Sequence, residues 1–274
     1  MKKILCMFAL IVALVCVVAS CNKAPEENPL GLAFFLKDDA TYVVEIGYAK
    51  YLSKIEIPAT YNGKDVTEVR NFTSETLKEV VISKGVTCIG ENAFENCTAL
   101  TSVTIPDSVT SIGYEAFRNC TALTSVTIPD SVTSIGDSAF YYCFALTSVT
   151  IPDSVTSIGD SAFSGCNNLV GNEYDNAYYL GNDQNPYLLL LRAKSTTITS
   201  CTIHKDTRFI YDSAFSGCTS LTSVTFANPN GWECEYYNDA TIVIAISASD
   251  LSNPATAAQY LKLTYGNFYW FRTE

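Results

Sequence analysis

Gly136-Asp137-Ser138 and Gly159-Asp160-Ser161 carry the residue types of an esterase-like nucleophile block. Serine chemistry of that kind needs a histidine base held by an acid. The chain has one histidine, His204, and Cys201 stands where the acid is expected before it. The block also recurs by repetition and loses its glycine at Tyr211-Asp212-Ser213. These serines therefore read as turn residues. Asp107, Asp130 and Asp153 form a column, one per repeat. Single carboxylates about 5 Å apart, without a glycine-rich calcium loop, hold a cation poorly, so Asx-turns are expected there. His204 replaces a repeat proline and reads as a lone exposed imidazole. No Walker-type loop, dinucleotide fingerprint or zinc spacing occurs. No catalytic residue, metal or cofactor is expected.

Of eleven cysteines, Cys97, Cys120, Cys143, Cys166 and Cys218 occupy one repeat position. Stacked in parallel about 5 Å apart, they match the dihedral of a disulfide poorly. They are expected to be buried free thiols packed as small apolar groups. Cys88, Cys201 and Cys234 show neither pairing nor metal spacing.

The elements that position these residues follow from a repeat. LKEVVISKGVTCIGENAFENCTA begins at Leu77, and similar 23-residue units begin at Leu100, Leu123 and Leu146. Phe94, Phe117, Phe140 and Phe163 recur in step. A fifth unit runs from Ile198 to Ser220, a half-unit begins at Leu221, and residues 52–58 look like a degenerate first coil. In LTSVTIP, Val103 and Ile105 alternate with polar residues, as in a short strand. Pro106-Asp107-Ser108 stops it. Gly113 is expected to supply a backbone angle that other residues avoid, and Ala116, Phe117 and Cys120 to return the chain by a short helical or irregular segment. One unit cannot bury its apolar face alone, whereas stacked units can. The ends need covers. Residues 32–76 form one, and 227–274, with Tyr265, Tyr269, Trp270 and Phe271, the other. Asn253 and Pro254 are placed as N-cap and first residue of a small helix.

The unit LTSVTIPDSVTSIGDSAFSGC resembles the BspA-type leucine-rich repeat of bacterial surface antigens, over about residues 77–226. The expected fold is a β-rich (α/β-type) solenoid: a leucine-rich-repeat right-handed superhelix of 23-residue units with N- and C-terminal caps and one β-hairpin insertion. Repeats occupy 77–168 and 198–226, and the insertion 169–197. The resemblance implies surface display and adhesion to host proteins or other cells.

Two binding surfaces are candidates. Thr101, Thr124, Thr147 and Thr222, with Thr104, Thr127, Thr150 and Thr225, should form flat hydroxyl rows on the strand face, suited to an extended chain or a glycan; threonine also simply favours exposed strands. Within the insertion, 177–181 and 187–193 flank a turn-rich segment and read as a hairpin. It is expected to gather Tyr174, Tyr178, Tyr179 and Tyr187, either as contact anchors or as a cover for the joint.

The amino terminus sets the expected compartment. Lys2 and Lys3 precede an apolar run ending at Val18-Ala19-Ser20-Cys21. That is a secretory signal (1–20), and its end resembles the bacterial lipobox, which implies lipid attachment at Cys21. Residues 21–31 read as a flexible tether. Net charge is −11, from 17 basic and 28 acidic side chains; losing two lysines with the leader leaves 15 against 28, or −13. Such a surface repels phosphate backbones, which argues against nucleic acid. The expected protein is exported, lipid-anchored at the bacterial outer membrane and cell-surface facing, with proteins or glycans of host or neighbouring cells as partners. A structural envelope spacer, or a carbohydrate-binding surface lipoprotein, is the alternative.

Overall fold

The computed structural model describes residues 26–27, 30–236, 239–264 and 266–273. The leader and Cys21 lie outside them. In the segment expected to be a flexible tether, Glu26–Glu27 pairs antiparallel with Ala33 and Phe34, because a free strand edge accepts any extended neighbour.

Each repeat makes one coil with two short parallel strands. The first ladder runs through Lys54–Ile57, Glu79–Ile82 and Ser102–Thr104, and resumes with Ser125–Thr127 and Ser148–Thr150. The degenerate first coil is thus a true coil. The second ladder joins Lys64–Val69, Cys88–Ile89, Ser111–Ile112, Ser134–Ile135 and Ser157–Ile158 in register. Repeat isoleucines of the second ladder and the leucines that open each unit point inward and are buried.

The return segment is a run of turns and not a helix. Each return has two left-handed residues: Asn92, Glu115, Ser138 and Ser161, at φ 53°, 51°, 54° and 53°, and four positions on Asn96, Asn119, Tyr142 and Gly165, at φ 59°, 57°, 58° and 80°. The repeat glycine plays a different part from the one expected. A Cβ on Gly136 would sit 2.6 Å from the carbonyl carbon of Gly113, so glycine is needed for the close approach of successive coils and not for an unusual φ.

The phenylalanines form one interior column. Ring centroids lie 5.3 Å apart for Phe94–Phe117, 5.2 Å for Phe117–Phe140 and 5.4 Å for Phe140–Phe163, with the rings of the last two pairs nearly parallel. Backbone amides tie the turns together: Phe117 N donates to Ala139 O at 2.7 Å and Phe140 N to Ala162 O at 2.8 Å. The cysteines complete the packing as free thiols. Cys143 Sγ donates to Phe117 O and Cys166 Sγ to Phe140 O, both at 3.1 Å.

The stack is interrupted after the fourth unit by a seven-stranded sheet. Its order is Asn172–Tyr174, Ala177–Leu180, Leu189–Ala193, Phe209–Ile210, Phe268–Arg272, Trp232–Tyr236 and Asp239–Ala245. Leu189, Leu191, Phe209 and Tyr269 on one face join the core that extends back to Leu32. Leu190, Ile210, Trp270, Trp232 and Cys234 on the other face belong to a second core. Alternation along each strand sends neighbours to opposite faces, so the sheet is a wall between two cores. The aromatic tail expected at an outer end is therefore internal. The last repeat strands, Ser200–Ile203 and Ser223–Phe226, pair in parallel and contribute to the second core. The small helix, Pro254–Gln259, begins as expected: the Asn253 side chain accepts from Ala255 N at 3.1 Å and Thr256 N at 3.2 Å. No helix among the described residues is long and apolar enough to cross a membrane.

Candidate binding surfaces

Thr101, Thr124, Thr147 and Thr104, Thr127, Thr150 are all exposed on the first ladder. The pairing of Thr127 with Thr150 sets them in a column. The two rows differ in chemistry. Thr101 Oγ1 donates to Lys78 O at 3.0 Å and Thr147 Oγ1 to Thr124 O at 3.1 Å, so these hydroxyls tie one coil to the previous one. Thr104, Thr127 and Thr150 make no such bond and present free donors and acceptors. Thr222 and Thr225 do not extend the rows. They sit on the separate two-stranded sheet beyond the wall, because Thr150 bridges to Gly181 of the insertion instead of to another repeat strand.

A second hydroxyl column was missed in the sequence. Thr110 Oγ1 donates to Thr87 O (3.1 Å), Thr133 to Thr110 O (3.3 Å) and Thr156 to Thr133 O (3.2 Å), while Ser131 and Ser154 reach Val109 O and Val132 O at 2.6 and 2.7 Å. Their invariance from unit to unit was the available signal. Asp107, Asp130 and Asp153 are exposed at the turns.

The insertion forms the expected hairpin, Ala177–Leu180 against Leu189–Ala193, plus a third strand, Asn172–Tyr174. It does not gather four tyrosines. Tyr174 and Tyr187 lie 5.4 Å apart and enclose His204, at 4.7 and 4.3 Å from its ring. Tyr179 is fully buried beneath them. Tyr178 faces the other way, under the guanidinium of Arg192 at 5.0 Å. Neighbours in a strand must point to opposite faces, so the sequence could have separated Tyr178 from Tyr179. His204 is correspondingly half-buried instead of exposed. Burial lowers its pKa, and its Nδ1 accepts from Asp206 N at 3.2 Å, as a neutral imidazole does.

The least expected site is a cavity of about 190 Å³ where the second ladder stops, lined by Asp137, residues 156–159, Asp160, Glu235, Tyr269 and Phe271. Burial first, then Asp137, Asp212 and Glu235, lift the Asp160 carboxyl from 3.8 to about 7. Burial and Asp137 also raise Glu235. The two carboxylates from the repeats were visible as the Gly-Asp-Ser blocks. Glu235 and Tyr269 arrive from the tail and carry no repeat signal.

A search of curated proteins finds no match. Among solved structures, the chain is similar to a leucine-rich-repeat protein of T. pallidum, at 25% identity and TM-score 0.52 over 73% of this chain and 81% of that one. It is also similar to a leucine-rich cell-surface protein of Faecalibacterium prausnitzii A2-165, at 29% identity and TM-score 0.45 over 76% and 72%. A third similar structure is a leucine-rich-repeat protein of Bacteroides ovatus, at 28% identity and TM-score 0.43 over 74% and 64%. The BspA type leucine rich repeat region matches in six copies over residues 48–179 and 193–237, more than half of the chain. With the coil geometry above, this places the chain in the BspA-type leucine-rich-repeat family.

Proposed function

We propose that this chain is a surface-displayed lipoprotein that works by adhesion or recognition, without turnover, and that the strand face bearing Thr104, Thr127 and Thr150 engages its partner. One observation carries the reading: those three hydroxyls are exposed and unbonded on a ladder that belongs to a coil stack with a packed phenylalanine column in its interior. A rigid, uncharged, repetitive hydrogen-bonding surface suits an extended polypeptide or a glycan, because little ordering cost is incurred on binding. The lipobox-like Val18-Ala19-Ser20-Cys21 supports anchoring through Cys21, where acyl chains at about 0.8 kcal/mol per buried methylene hold a protein to a membrane. Tyr174 and Tyr187, with His204 between them, form a second, smaller contact patch.

The test is a binding screen of the full chain against extracellular-matrix proteins, glycans and neighbouring cells. Saturable binding to at least one is expected. Uniform, non-saturating retention across all probes would instead indicate an envelope spacer.

A further inference from the structure

The second ladder ends abruptly, and its end leaves two carbonyls without a following coil. In successive coils the threonine carbonyl accepts the next threonine's amide (Thr110 N to Thr87 O, 2.8 Å; Thr133 N to Thr110 O, 2.9 Å; Thr156 N to Thr133 O, 2.8 Å). The isoleucine carbonyl likewise accepts the next glycine's amide (Gly113 N to Ile89 O, 2.7 Å; Gly136 N to Ile112 O and Gly159 N to Ile135 O, 2.8 Å). In the fourth coil no further repeat follows to offer its amides to Thr156 O and Ile158 O, because the insertion diverts the chain into the wall. The cavity lies at this break.

Its other walls are acceptors too. Asp137 and Asp160 come from consecutive coils, with Asp160 N donating to Asp137 Oδ1 at 2.9 Å. Glu235 stands beside Tyr269 as its cross-strand partner. Every charge acting on Asp160 is a carboxylate. The nearby Arg208 is committed elsewhere, its Nη1 donating to Asp153 O at 3.0 Å. Tyr269 is buried, with only 5% of the residue exposed. Its hydroxyl lies by the Ile158 backbone, outside hydrogen-bonding geometry, and has no partner. A buried hydroxyl without a partner, and two ladder carbonyls without a following coil, beside three carboxylates are costly unless something supplies donors.

We propose that this cavity is a binding site for an organic cation rich in N–H donors, namely a guanidinium group, either free or on an arginine side chain of a partner. A planar fork of donors fits adjacent carbonyl and carboxylate acceptors, and it stacks on aromatic faces such as those of Tyr269 and Phe271. The volume is several times a single water's share of the liquid, roughly 30 Å³, so it admits more than a bare ion. No group of described His, Cys, Asp or Glu residues is arranged to ligate a metal. The site lies on the second ladder, apart from Thr104, Thr127 and Thr150, so its test leaves the adhesion reading untouched.

The experiment is calorimetric titration of the full chain with ethylguanidinium, with ethylurea as the neutral isostere, with calcium chloride, and with a five-residue Gly/Ser peptide carrying one central arginine. Ethylguanidinium should bind one-to-one and ethylurea should not. Glu235→Gln should weaken binding about tenfold, the loss expected for one charge-assisted hydrogen bond. Tyr269→Phe should weaken it as well while melting no lower than the parent, since the lost hydroxyl has no protein partner. Asp137→Asn, at an exposed position, supplies a second charge variant if Glu235→Gln unfolds. Tighter binding of the arginine peptide than of ethylguanidinium assigns the cation to a partner chain, and equal binding assigns it to a free small molecule. Absence of saturable binding, binding unchanged in both Tyr269→Phe and a charge variant, or displacement of ethylguanidinium by calcium would overturn the proposal.

Discussion

Replacing Phe140 by alanine removes a ring that is fully buried and stacked on both sides, at 5.2 Å from Phe117 and 5.4 Å from Phe163. Truncating a buried phenylalanine costs about 3–5 kcal/mol, transfer and residual cavity together. Each aromatic pair adds about 0.5–1.5 kcal/mol beyond area. Two pairs vanish at once, and the rigid backbone tie between coils, Phe140 N to Ala162 O at 2.8 Å, resists collapse into the hole. The upper end of that range, about 4–5 kcal/mol, is therefore expected. Phe144, four residues on and 44% exposed, is the internal control, with an expected cost of about 0.5 kcal/mol or less. Urea unfolding followed by circular dichroism, with hydrogen exchange to locate the opened coils, measures both. Because coils are stabilised by their nearest neighbours, exchange should rise most in the third unit and in the second and fourth units on either side of it. Equal losses for Phe140→Ala and Phe144→Ala would refute the column as the source of stability.

Three further outcomes follow. Asp160 is lifted to about 7 when folded, so its protonated form is favoured by folding; its contribution is present below about pH 4 and is lost as pH rises through 7. The undiluted shift corresponds to about 4 kcal/mol, and because the group is only half-buried about 1–2 kcal/mol is expected. Asp160→Asn should thus match the parent near pH 4 and exceed it by that amount at pH 8 in thermal melts; equal pH profiles would exclude the mechanism. Burial raises the thiols of Cys97 and Cys120, and a hydrogen bond with the Cys166 side chain, then burial, raises that of Cys143, so they should resist an aromatic disulfide reagent at pH 8 until urea unfolds the coils, whereas the partly exposed Cys88 reacts at once; rapid labelling of Cys120 in the folded chain would contradict this. Mass spectrometry of the chain from producing cells should find its new amino terminus at an acylated Cys21, and an unmodified Cys21 would remove the anchor.

The coil was legible in the sequence because it repeats. Spacing alone identifies Phe94, Phe117, Phe140 and Phe163 as one column, and the structure stacks them within 5.4 Å. The role of glycine was misjudged because periodicity reports that a position is constrained and not how: left-handed angle and backbone contact demand the same residue. The wall was invisible for a different reason. Phe209–Ile210 pairs with Phe268–Arg272 across more than fifty residues, and no repeat phase links them. For the same reason Glu235 and Tyr269 could not be placed beside Asp160. The threonine rows were readable as exposed, but not which hydroxyls are spent on the neighbouring coil, since Thr101 and Thr104 occupy equally regular positions.

The adhesion account is tested most directly by measuring partner binding to the full chain and to a Thr104→Lys, Thr127→Lys, Thr150→Lys variant whose melting temperature is unchanged. Three long charged side chains on the exposed row should abolish saturable binding to whichever matrix protein, glycan or cell binds the parent. Undiminished binding by the folded variant would contradict the claim that this face meets the partner.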